Sequence, residues 1–212
     1  MNKIIERVKE SGVIPVVKLS TPDSAVPLAR ALRDGGINCA EITFRSDAAE
    51  ESIRRISREM PDFFIGAGTV LSPEKADAAL AAGASFSVSP GFNPQVVEHC
   101  IQKDYTIIPG VITPSEIELA MSYGLSYLKF FPAEAAGGLK MIKAMSAPYQ
   151  AVRFMPTGGV NMNNLRDYMS CKAVFACGGT WIAPTDKIDS GKFDEIENAA
   201  REASELLKEI VK

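Results

Sequence analysis

Short apolar runs recur along the chain, and each is followed by a segment whose apolar residues fall at i, i+3 and i+4. The runs read as strands over 13–19, 39–45, 63–70, 86–91, 106–111, 127–133, 152–159 and 173–180. The segments between them, such as "SAVPLARALRDGG" and "AEESIRRISREM", have the period of a one-sided helix. Helix starts are marked at "STPDS", "SPEKA" and "TPSEIE", where a hydroxyl side chain precedes a proline of the first turn. Glycine closes several helices, in "ALRDGG", "ALAAG" and "MSYG", and predicts left-handed C-caps there.

Eight strands alternating with eight helices predict an α/β fold with a parallel sheet joined by crossovers. Eight such units are what a closed (β/α)8 TIM barrel requires, with an open doubly wound sheet as the alternative. An extra N-terminal helix is expected over 2–11, ahead of the first strand. No linker, low-complexity segment or charge block interrupts the pattern, so residues 1–212 read as one domain.

In a parallel barrel the chemistry sits at the C-terminal ends of the strands, and the residues that break the apolar pattern collect there. In "CAEITFR", Glu41, Thr43 and Arg45 share one face and Ala40, Ile42 and Phe44 the other. The polar face points into the barrel, as a functional set or as an internal ion pair that only supports the fold. In "YLKFFPA", Tyr127, Lys129 and Phe131 likewise share a face, which places Lys129 inside with Glu41. Burial favours the neutral form of an amine, and a neutral amine attacks carbonyl carbon. A structural partner for Glu41 is the plainer reading of the same lysine.

Paired glycines follow the last two strands, in "PTGGV" (156–160) and "CGGTW" (177–181). Such pairs let backbone N–H groups approach an anion, and a helix expected from Asn161 would add its positive end. A tight turn is the bland alternative for each. Lys18, at the end of the first strand, is a second lysine near the mouth.

Composition narrows the partners. Hydrophobic residues make up 46% and charged residues 23%, with a net charge of −3, so no basic field favours nucleic acid or an anionic membrane. The N-terminal segment "MNKIIERVKESG" reads as a helix rather than a secretion leader, and no apolar run reaches the roughly 18 residues of a membrane span. Cys39, Cys100, Cys171 and Cys177 form no C-x-x-C pair and read as reduced thiols of a cytoplasmic protein. His99, the single histidine, reads as an ordinary helix residue, and one histidine leaves no histidine-rich zinc site.

The motifs "EITFR", "GAGTV", "SPGF", "IPGV" with "TPSE", "LKFFPAE" and "PTGGV" stand in the order and approximate spacing of a known family. From about Val13 to Trp181 the chain resembles the bacterial 2-dehydro-3-deoxy-phosphogluconate aldolases, many of which also cleave 4-hydroxy-2-oxoglutarate. The resemblance implies a class I, Schiff-base aldolase that uses no metal and no cofactor, acts on a small 2-oxo acid, and is typically a homotrimer. By position it makes Lys129 the imine-forming lysine and Glu41 the general acid/base. It pairs Arg45 with Thr69 on the pyruvyl carboxylate and sets Pro90 along the pyruvate pocket. It gives Thr157 an influence on stereochemistry, and Gly158 and Gly159 a phosphate loop assisted by Gly178, Gly179 and Thr180. Thr180 departs from the serine frequent in relatives, which bears on the fit of the substrate's distal end. The same residues admit two rivals: another phosphate-binding barrel enzyme, an isomerase or epimerase, and a non-catalytic binder of sugar acids or phosphates.

Overall fold

The structure, a computed structural model, describes residues 3–210. All eight strand regions form. They are β1 (Val13–Val17), β2 (Cys39–Thr43), β3 (Phe64–Gly68), β4 (Phe86–Val88), β5 (Ile107–Ile108) with β6 (Gly110–Val111), β7 (Tyr127–Phe130), β8 (Arg153–Pro156) and β9 (Cys177–Gly179). The fifth region divides at Pro109, whose nitrogen has no hydrogen to give a ladder. Most strands end one to three residues short of their apolar runs, so Lys18, Arg45, Thr69, Pro90, Thr157 and Thr180 lie just beyond the ladders.

The helices are α1 (Lys3–Ser11), α2 (Ala25–Asp34), α3 (Ala49–Glu59), α4 (Pro73–Ala82), α5 (Pro94–Gln102), α6 (Pro114–Ser122), α7 (Gly138–Ser146), α8 (Leu165–Met169), α9 (Thr185–Asp189) and α10 (Phe193–Ile210). Helix α1 answers to the segment expected over 2–11, of which Asn2 lies outside the described residues. Two of the three predicted caps form, at Ser72, which accepts from Lys75 N, and at Thr113, which makes a reciprocal capping box with Glu116. At "STPDS" a short 3-10 turn, Pro22–Ser24, precedes α2, and neither Thr21 nor Ser24 caps with its side chain. Of the predicted C-caps, Gly83 is left-handed with φ +99°, whereas in "ALRDGG" that role falls to Gly36 (φ +91°). Gly35 keeps a helical backbone instead, and a Cβ there would overlap the α10 backbone at Glu197. Among the described residues, no helix is long and apolar enough to cross a membrane.

Every strand pairing is parallel. Six strands run in the order β5-β4-β3-β2-β1-β9 and three in the order β6-β7-β8. Parallel strands need crossovers, and one helix or more follows each strand region. The register decides which side chains share a face. Glu41 lies opposite Val16 and Gly66, Thr43 opposite Gly68, and Lys129 opposite Gly110 and Met155. The alternate residues Ala40, Ile42, Leu128 and Phe130 are buried in the same continuous apolar core.

Candidate active site

Strand β2 delivers Glu41 and strand β7 delivers Lys129, with Nζ 3.5 Å from Oε1 and side chains only 1% and 6% exposed. The space for the carboxylate comes from β3, where a Cβ at Gly68 would overlap Glu41 Oε1. Neither Glu41 oxygen accepts a hydrogen bond from a described residue. Two charges held this far from water add little to stability even when well bonded, and these are poorly bonded. The pair is therefore better explained by what it does to a third molecule. Lys129 Nζ also stands 5.4 Å from the centre of the Phe131 ring, which is partly exposed at the mouth.

Arg45 lies two residues past β2 and is exposed. Its Nε donates to Thr43 Oγ1 at 3.0 Å, and the Thr43 hydroxyl donates in turn to Val17 O at 2.8 Å. Thr43 thus fixes the guanidinium stem to β1, a contact that exists only once two strands pair and that no local sequence pattern marks. Beside Arg45 a concavity of about 420 Å³ is lined by Phe44, Ser46, Asp47, Glu50 and Lys75. Larger concavities, about 580 and 770 Å³, are bordered by residues of α1 and by residues at the N-terminal ends of strands, away from Lys129 and Glu41. Converging chemistry, and not size, marks the site.

Thr69 follows β3 with φ +57°. A β-branched residue in the left-handed region is strained by about 1–3 kcal/mol, and such strain persists where function holds it. Thr69→Gly is expected to leave the melting temperature unchanged or higher, because relief of strain offsets the greater freedom of the unfolded chain. If Thr69 addresses a pyruvyl carboxylate, as the resemblance implies, the same variant should also need more pyruvate for half-maximal binding. A thermal melt beside a pyruvate titration checks both, and a clear loss of stability would contradict the strain.

Pro90 ends the β4 region and is brought against β6 because Gly110 has no side chain; a Cβ there would overlap Pro90 O. Gly110 is also the ladder partner of Lys129, so Pro90 borders the same face. Thr157, 4% exposed, bridges to Gly178, where a Cβ would overlap Thr157 Oγ1. Gly158 and Gly159 take φ +94° and +88°. Among the described residues, their N–H groups have no acceptor.

Two expectations about the glycine pairs change. The helix expected from Asn161 starts at Leu165, because Asn161 and Asn164 side chains bond the turn between them: Asn161 N donates to Asn164 Oδ1 at 2.8 Å. Gly178 and Gly179 belong to strand β9 and not to a turn. They admit Thr157 and the Trp181 ring, and Thr180 stands exposed just beyond them. Lys18 is half-buried beyond β1, in step with Val16 and so on the Glu41 face.

His99 belongs to the outer layer. Its Nε2 lies 2.8 Å from Asp77 Oδ1, and that hydrogen bond holds the Asp77 carboxyl below its usual range. All four cysteines are free thiols, and burial pushes Cys39 up to about 12 and Cys100 up to about 11. Neither is poised as a nucleophile near neutral pH.

The profile of the family described as "KDPG and KHG aldolase" matches residues 4–199. The chain is 48% identical to a 2-dehydro-3-deoxy-phosphogluconate aldolase of Treponema pallidum, over 98% of this chain and 99% of that one. It is 43% identical to the KHG/KDPG aldolase of Escherichia coli K12, over 92% of each. Among solved structures it superposes with a TM-score of 0.91, at 36% identity, on a KDPG aldolase of Legionella pneumophila in which pyruvate was captured as a covalent carbinolamine. That match covers 94% of this chain and 97% of the other. The profile match and these identities, spread over nearly the whole length, show that the chain belongs to the KDPG and KHG aldolase family.

Proposed function

We propose that this chain is a class I aldolase that works through a Schiff base on Lys129. Its substrates are 2-dehydro-3-deoxy-6-phosphogluconate, cleaved to pyruvate and glyceraldehyde 3-phosphate, and 4-hydroxy-2-oxoglutarate, cleaved to pyruvate and glyoxylate. The observation that carries the reading is the buried Lys129–Glu41 pair, 3.5 Å apart, with neither Glu41 oxygen accepting a hydrogen bond from a described residue. The carbinolamine captured in the Legionella pneumophila relative is the adduct an amine forms with a ketone, which supports the same route here.

The Lys129 amine attacks the C2 ketone, and loss of water from the carbinolamine leaves a protonated imine. Glu41 takes the proton of the C4 hydroxyl as the C3–C4 bond breaks. The bond's electrons flow to the iminium nitrogen, giving a neutral enamine, and the aldehyde departs. Protonation at C3 restores the imine, and water releases pyruvate and the free amine. One carboxylate serves these transfers in turn if water relays to the more distant atoms. Arg45, steadied by Thr43, makes a charge-assisted contact to the carboxylate, with Thr69 beside it. Pro90 borders the pyruvyl group, Thr157 faces the aldehyde end, and the free N–H groups of Gly158 and Gly159 take the phosphate, next to Gly178, Gly179 and Thr180. An isomerase or a non-catalytic binder would leave the lysine–glutamate pair without a task.

In the proposed enzyme the two sheets join into one closed (β/α)8 barrel, one domain over 1–212. Supporting it are the shared seam at Pro109, the bridges Phe154↔Val174 and Thr157↔Gly178, and the continuous core. The protomer assembles as a homotrimer in the cytoplasm. The family resemblance supports the trimer, as do Leu80, Ile101, Leu119 and Met121, exposed on α4, α5 and α6. Four free thiols suit a reducing compartment.

Side-by-side kinetics on the two aldols, read as pyruvate released, test the activity, and release from neither would contradict it. A chelator is expected to leave the rate unchanged, because the iminium already withdraws the electrons a Lewis acid would draw. Activity lost to a chelator and restored by zinc or magnesium would overturn the Schiff-base class.

A further inference from the structure

We infer that Glu134 and Tyr168, with Asn161 and Asn164, form a brace that positions the Gly158–Gly159 turn for the phosphate of the substrate. This rests on the reading of that turn as the phosphate site. The Tyr168 hydroxyl donates to Glu134 Oε1, and Tyr168 is itself 1% exposed, so the donor is anchored in the core. The stem of Glu134 lies flat against the turn: a Cβ at Gly159 would overlap its Cγ. Gly138, at φ +57°, leaves the room in which the Glu134 carboxylate and the Tyr168 hydroxyl meet.

The carbonyls of the turn are all taken. Thr157 O accepts from Ala133 N at 2.8 Å, and Gly158 O accepts from Glu134 N at 3.0 Å. Gly159 O accepts from Asn161 Nδ2 at 3.0 Å and from Asn164 Nδ2 at 3.1 Å. With every carbonyl tied back, the Gly158 and Gly159 N–H groups are the backbone groups left to meet a ligand, and those attract an anion. The segment 131–134 also follows strand β7, so the brace ties the phosphate end to the strand that carries Lys129.

Glu134 is an unexpected neighbour for a phosphate, since Coulomb repulsion alone disfavours it. That makes charge and geometry separable. If Glu134 acted only as a charge, Glu134→Gln and Glu134→Ala would both tighten phosphate binding. If it is a brace, Gln keeps the acceptor for Tyr168 and the packing on Gly159, whereas Ala loses both.

The experiment measures KM for the phosphorylated six-carbon aldol in wild type, Glu134→Gln, Glu134→Ala and Tyr168→Phe. Half-maximal borohydride trapping by pyruvate, which lacks the distal end, is the control for folding. Glu134→Ala and Tyr168→Phe are expected to raise KM roughly tenfold, the scale of a lost hydrogen bond to a charged group. Glu134→Gln should stay at or below the wild-type KM, and pyruvate trapping should be unchanged throughout. An Ala variant that binds as well as Gln, or an unaffected Tyr168→Phe, would overturn the brace. So would equal losses on pyruvate and on the aldol. Inorganic phosphate should compete with the aldol in wild type; if it does not, the turn is no phosphate site and the brace falls with it.

Discussion

Lys129→Arg is expected to abolish pyruvate release from both aldols while the chain still folds. A guanidinium stays protonated at any working pH and offers no lone pair to a ketone. It keeps a positive charge opposite Glu41, whose side chain is 1% exposed, so the variant does not strand a lone carboxylate in the core. The loss should exceed roughly 10⁴-fold, a large share of the ~10⁶-fold or greater acceleration of a typical enzyme. A coupled assay for pyruvate gives the rate, and a thermal melt checks the fold. A rate within tenfold of wild type would mean that catalysis does not pass through an imine on this residue.

Glu41→Gln should give the second largest effect, a fall in kcat of roughly 10²–10⁴-fold, the scale of a positioned acid/base. Glutamine occupies nearly the same volume, so the space left by Gly68 still accommodates it. Pyruvate affinity should hold, because Arg45 and Thr69, not Glu41, address the carboxylate in the proposed site. Steady-state turnover beside a pyruvate titration separates the two quantities. An unchanged kcat would reduce Glu41 to a structural partner of Lys129.

Much of this site is legible in the sequence because its residues violate the pattern around them. Lys129 interrupts an apolar strand, Glu41 and Arg45 interrupt another, and period-two alternation sets their faces. Other parts are set by contacts between distant segments. Gly68 and Gly110 read as unremarkable strand glycines until β3 is laid against Glu41 and the Pro90 loop against β6. Thr43 looks like a β-former, and its bonds to Arg45 and Val17 appear only once β1 and β2 pair. The left-handed backbone of Thr69 runs against its own propensity, so no local rule points to it. Gly178 and Gly179 resemble a turn by composition, yet they lie in β9 because Thr157 and Trp181 need their missing side chains. Local propensity also set the helix after Gly159 four residues early, where asparagine side chains compete for the backbone.

The most direct test of the central claim is the position of the covalent label. Wild-type protein incubated with pyruvate and reduced with borohydride should gain one reduced pyruvyl group per chain, and peptide mapping should place it on Lys129. That result follows from Lys129 being held inside the strands, 3.5 Å from a carboxylate able to move its protons. A label on Lys18, half-buried at the mouth on the same face, or no label at all, would contradict it.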